Sequence, residues 1–296
     1  METSDQTKLA APPPKKFERR IIIAYAILRF LGNKWITIVG GVFFGMFATW
    51  MVHYVQNWID KRPLHAIWDK IIDEQGDIPV VFGGALVKEF YVKHPEGGVD
   101  AAVVKASLPN NVPLLGVQEA IGISFVRQNL ANEFGVRTIS LYEDIDFSSR
   151  KTNASFVSVG GASINDITFE MLVEHKLDRQ FKMVYPDHYA LDEADGQTYR
   201  AERQNELISK DYGFIVIGRN PYDTNKLVIL AFGIWPQGTR AALDAIAEPD
   251  TQSQIGQQFI EKVKAGKGVV AVVETKVSSL QQGRPHFVKV RDLITQ

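Results

Sequence analysis

The chain has 296 residues, with 33 basic and 34 acidic side chains and a formal net charge of −1. That balance excludes a general nucleic-acid binder, which needs a basic excess to neutralise phosphates. A content of 45% hydrophobic and 23% charged residues excludes wholesale disorder, and the lack of cysteine excludes disulfides, thiolate nucleophiles and zinc–cysteine or iron–sulfur sites.

Residues 1–16 are polar and carry Pro12, Pro13 and Pro14, which predicts a disordered, Pro-rich tail. Residues 17–34 contain the apolar run Ile21 to Leu31, too short to span a bilayer and flanked by Arg19, Arg20 and Lys34. This composition predicts an interfacial segment. From Trp35 to Val55 no Lys, Arg, Asp or Glu occurs over 21 residues, long enough as a helix to cross the roughly 30 Å hydrocarbon core. Trp35 at one end and Trp50, Tyr54 and Trp58 at the other suit two aromatic belts. The expectation is therefore a single-pass transmembrane helix over 35–55, retained as an anchor. Gly41 and Gly45 form a G-x-x-x-G, a spacing that lets a neighbouring helix pack closely. Six Lys and Arg lie in 15–34 against three in 56–75, so the positive-inside rule places the N-terminus in the cytoplasm and the C-terminal domain outside it. Residues 56–77, with Trp58 and Trp68 among charges, are expected to form a juxtamembrane linker that continues the helix or lies on the membrane surface.

Residues 78–296 alternate strand-like and helix-like segments, the pattern of an α/β domain. Strands are expected at 78–84, 137–144, 154–161, 181–185, 214–218, 227–233, 269–277 and 286–293. Helices are expected at 117–134, 164–175 and 239–247. Runs such as Phe156 to Val159 and Leu227 to Phe232 suit a sheet covered on both faces. A hairpin around Asp195–Gly196 adds antiparallel pairing, so the expected core is Rossmann-like or flavodoxin-like with a mixed sheet.

Two glycine-rich turns follow strands. In the first, Gly160, Gly161, Ser163 and Asn165 form a candidate ligand site, since glycines admit an anion to the amides of a helix start. Ser163 and Asp166 also fit an S-x-x-D capping pattern. In the second, Gly233, Gly238, Thr239 and Arg240 have the glycine spacing of a phosphate loop. Thr239 and Arg240 replace its lysine and hydroxyl, which argues against nucleotide hydrolysis and leaves a non-hydrolytic phosphate or carboxylate site. Asn220 opens a turn after the strand at 214–218 and is a third candidate, placed to meet the second glycine turn if the strands are neighbours.

Gly161 to Asn165 miss the nucleophile-elbow pattern, whose last glycine is replaced by Asn165. Asp187–His188 and His286 are isolated acid/base candidates, and the six histidines show no metal-ligand spacing. No cofactor or metal is expected, and the chain reads as a non-enzyme. The function expected is that of an accessory subunit of a larger membrane protein complex, its partners being the bilayer and other membrane-protein subunits. The alternative is an anchored sensor or enzyme that takes a nucleotide or other phosphorylated ligand at the glycine turns.

Overall fold

The computed structural model describes residues 25, 29, 32, 41–55, 64–83, 86–91, 102–107, 116–184, 188–205, 207–278 and 281–294. The chain divides into two units, Met1–Ile59 and Asp60–Gln296.

In the first unit residues 41–55 form helix α1. Phe43, Phe44, Phe47 and Trp50 are exposed along it, and Gly41 and Gly45 have open space where a Cβ would stand. The expected span begins at residue 35, and its first six residues lie outside the described ones, as does the tail 1–16. Of 17–34 only residues 25, 29 and 32 are described, each helical. No helix among the described residues is long and apolar enough to cross a membrane.

The second unit is a mixed α/β domain on a curled mixed sheet. Strands β1 (Asp77–Phe82), β4 (Thr138–Glu143), β5 (Phe156–Val159) and β11 (Leu227–Gly233) run parallel in the order β4-β1-β5-β11. Strand β10 (Leu207–Arg219) joins β11 antiparallel, β12 (Val269–Ser278) joins β10, and β14 (His286–Asp292) and β13 (Gln281–Gln282) join β12. The short β9 (Glu202–Gln204) pairs with the start of β10. Two smaller sheets are a β2 (Leu86–Tyr91) and β3 (Ala102–Ser107) hairpin and a three-stranded meander of β6 (Phe181–Val184), β7 (Tyr189–Asp192) and β8 (Gln197–Arg200). The β7–β8 turn holds Asp195 and Gly196, as the sequence predicts.

Alternation with period two sends successive side chains to opposite faces of the sheet. Ile78, Val157, Ile229, Ile215 and Ala271 meet α2 (Val117–Phe134), α5 (Pro236–Ala247) and α6 (Gln254–Lys264) on one face. Phe156, Leu230, Phe214 and Val272 meet Phe147, Met171 and the meander on the other. The meander is tied down by charge. Arg291 on β14 bonds the buried carboxylates of Asp178 and Asp192, and Lys289 adds a second cation to Asp192. Burial works against the Asp192 carboxylate, but these cations prevail and hold it below the usual range.

Three expectations are corrected. Trp68 does not lie at a membrane surface: it is fully buried in the domain core, and its indole N–H donates to the Ile246 carbonyl at 3.1 Å. Ile67 and Ile71 join it, so a short helical turn before β1 belongs to the domain. The helix expected over 164–175 is a single turn, α4 (Asp166–Phe169), that widens into a π-helix over Glu170–Glu174. Its N-cap is Asn165 and not Ser163, because the Asn165 side-chain oxygen accepts from the Thr168 N–H at 3.1 Å. Strand β10 runs for 13 residues where the apolar pattern marks only five, because Lys210 and Asp211 interrupt the hydrophobic run.

Candidate functional site

Because β1, β4, β5 and β11 are parallel, their carboxyl ends lie along one edge of the sheet. The helices that follow start there, and their N-terminal amides carry partial positive charge. This is where an anionic ligand would be held in an α/β domain.

At the second glycine turn the acceptor is already supplied. Asp211, on β10, is fully buried, and its Oδ2 accepts from the Gly238 N–H at 2.6 Å and the Trp235 N–H at 3.1 Å. Its Oδ1 accepts from the Tyr212 N–H at 2.8 Å. Trp235 is the N-cap of α5 and gives no side-chain cap of its own, so this carboxylate caps the helix from a neighbouring strand. Burial pushes Asp211 up to about 7, against the pull of the three N–H donors. The glycines make the approach possible. A Cβ on Gly238 would run into the Tyr212 carbonyl, one on Gly213 into the Gly238 carbonyl, and one on Gly233 into the Gly238–Thr239 backbone. Thr239 is buried, with its N–H on the Trp235 carbonyl at 3.2 Å. Arg240 turns away to Gln118 Oε1 at 3.1 Å and Asp244 at 3.5 Å.

The first glycine turn is bound up in the same manner. Asn165 is fully buried, and its amide donates to the Val159 carbonyl at 2.8 Å and the Val81 carbonyl at 3.4 Å, joining the ends of β5 and β1. The Gly161 carbonyl accepts from Ile164 and Asn165, and the Gly160 N–H donates to Ala231 of β11. Gly160 needs its left-handed backbone, φ 99°, to turn off the strand. Ser163 is half-buried on the same loop. The Asp166 N–H donates at 2.7 Å to Asp144, from the short helix α3 (Asp144–Phe147) that follows β4. Glu119 reaches back to accept from the Gly116 N–H at 2.7 Å, capping α2 close to Gly160. Burial raises its carboxyl above the ordinary value, with the Gly116 bond as a partial offset.

Asn220 does not join this group. Arg219 pairs with Leu227 and Gly213 with Gly233, so the Asn220 turn and the second glycine turn sit at opposite ends of the β10–β11 ladder. Its amide donates to the Lys151 and Ala154 carbonyls at 2.5 and 3.0 Å, and its oxygen accepts from the Tyr222 N–H at 3.0 Å, which fixes a loop. Near it lies a cleft of about 380 Å³ lined in part by Lys70, Asp73, Asp77, Arg150 and Lys226. Both of its carboxylates are taken: Asp73 accepts from the Gln75 and Asp77 amides, and Asp77 from Thr138 and Ser140.

The acid/base candidates stay apart. Asp187 lies outside the described residues, His188 packs 5.0 Å from the Trp235 ring, and His286 is half-exposed, 3.6 Å from Glu274. Among the described residues no group of three His, Asp or Glu side chains is placed to hold a metal. The residues that sequence reasoning missed are Asp211 and Glu119. The signal for Asp211 was an acid directly before Tyr212-Gly213 inside an apolar strand, a position that is tolerated only with a partner.

Comparison with protein-family models, with characterised proteins and with solved structures finds no match to this chain.

Proposed function

We propose that this chain is a membrane-anchored accessory subunit: a single-pass helix over 35–55 attaches a non-catalytic α/β domain to a larger membrane protein complex. In this reading the N-terminus is cytoplasmic and the domain extracytoplasmic. The observation that carries it is the closure of the ligand edge by the chain itself. Asp211 accepts from the Trp235 and Gly238 amides at α5, Asn165 from Thr168 at α4 and Glu119 from Gly116 at α2, so an internal acceptor already stands at each helix start. Exposed Phe43, Phe44, Phe47 and Trp50 support the anchor, since such a surface calls for lipid or a partner helix. The order β4-β1-β5-β11, with the chain leaving β1 for β4 on one side and β5 lying on the other, supports a flavodoxin-like, doubly wound core for the parallel half.

The competing reading is a sensor for a phosphorylated ligand at the glycine turns, and it requires the ligand to displace Asp211. Two measurements separate them. Mild-detergent purification from the native membrane, with mass spectrometry of co-migrating chains, should return a stoichiometric partner chain. A thermal-shift panel of nucleotides, dinucleotides and sugar phosphates should leave the protein unmoved. A lone monomer together with a ligand-induced shift that disappears in Gly238→Asp would contradict the subunit reading.

A further inference from the structure

The outer edge of β4 differs from the rest of the domain surface. Among the described residues β4 pairs only with β1, and none of them forms a ladder with the other side of the strand. Sheet edges are ordinarily guarded by Lys, Pro or a bulge. β4, Thr-Ile-Ser-Leu-Tyr-Glu, has no such guard. Leu141 on β4 is exposed, and so are Val117 and Ile121 on α2, which packs on one face of the sheet, and Ile145 on α3, which packs on the other. Between α2 and β4 runs a groove of about 360 Å³, lined by Ala120, Ile123, Ser124, Arg127, Ile139 and Leu141.

The sequence of the strand indicates what covers it. Arg137 stands just before β4 and Glu143 ends it, and neither has a side-chain ion partner among the described residues. If a second β4 is laid antiparallel with Ser140 on the two-fold axis, Arg137 falls opposite the partner's Glu143, Ile139 opposite the partner's Leu141, and Thr138 opposite the partner's Tyr142. Both ion pairs and both apolar pairs form at once, on a self-complementary patch as a two-fold interface requires. The two α2 grooves then lie on the same face of the continued sheet. We propose that the domain self-associates as a two-fold dimer through antiparallel β4–β4 pairing in this register. The inference extends the interaction reading above, and its failure would leave the co-purification result standing.

The absence of cysteine in the chain provides a clean test. Full-length Ser140→Cys in native membranes, treated with a mild oxidant, should give a reducible species at twice the 33.2 kDa chain mass. Val173→Cys, exposed on the other face of the domain, should not. On the Ser140→Cys background Arg137→Glu and Glu143→Arg should each lower the yield about tenfold, because like charges then oppose each other, and the double exchange should restore it. Equal cross-linking by Val173→Cys, a Ser140→Cys product with a different chain, or no product at all would overturn the dimer. Loss without rescue in the double exchange would overturn the register.

Discussion

The carboxyl edge of the parallel strands and the outer edge of β4 lie in one domain and have opposite balances of need. The carboxyl edge looks built for chemistry: glycine turns, helix N-termini, buried acids. Yet its donors and acceptors answer one another, with Asp211 on the α5 amides and Asn165 across the ends of β1 and β5. The β4 edge has no suggestive motif. Among the described residues it has no second strand partner and no ion partner for the cation and anion at its two ends, and Leu141 on it is an exposed apolar side chain. Glycine-rich spacing thus marks close backbone approach, and approach to a ligand is only one of its uses. Function is better sought where the chain has left groups unmatched.

Breaking the closed edge should have the largest effect. Asp211→Ala leaves the Gly238, Trp235 and Tyr212 N–H groups without their acceptor, the first of them buried. The expected cost is roughly 4 kcal/mol, read as a fall of about 10 °C in Tm. Asp211→Asn, which keeps an acceptor oxygen, should cost less than half of that. Gly238→Ala comes next, at about 3 kcal/mol by chemical denaturation, since the new Cβ meets the rigid Tyr212 carbonyl and not the tip of a side chain. Its sign is informative. In a helix with room to spare the same change would stabilise, so a gain in Tm would mean that the α5 turn stands off the sheet.

Acidity should sharpen the contrast. Burial raises Asp211 from an ordinary 3.8 to about 7, so the folded protein holds a proton that the unfolded chain releases. The resulting stability is fully present below the unfolded value and is lost as pH rises through about 7. Asp244, raised to about 6 by burial, acts in the same direction. Denaturation curves between pH 4 and 8 should show stability declining by on the order of 5 kcal/mol, and Asp211→Asn should flatten the upper part of that decline. At the open edge the effect on folding should be smallest. Leu141→Lys should change stability by less than about 0.5 kcal/mol, as for other exposed sites, while removing association measured by light scattering.

How far the sequence carries depends on range. Near-continuous apolar runs such as Phe156 to Val159 and Leu227 to Gly233 mark strands covered on both faces, and both are so in the domain. Asp195–Gly196 marks the meander turn. These signals are local. Trp68 reads as a membrane-surface residue because its burial depends on Ile246, far along the chain. The capping role of Asn165 was hidden behind the more familiar Ser163. Asp211 is the plainest instance: nothing near it in sequence says that α5 will start above it, and only the order β12-β10-β11 brings the two together. Asn220 was misplaced for a related reason: the strands are neighbours, but antiparallel pairing sends its turn to the far end.

The chain's own Asp211 carboxyl group closes the α5 amides. Amide hydrogen exchange at Gly238 in the full-length protein, without added ligand, tests it most directly. Strong protection is expected in the wild type, with protection lost at Gly238 and Trp235 in Asp211→Ala and the strands β5 and β12 still protected. Fast exchange at Gly238 in the wild type, slowed by inorganic phosphate or a nucleotide, would contradict it.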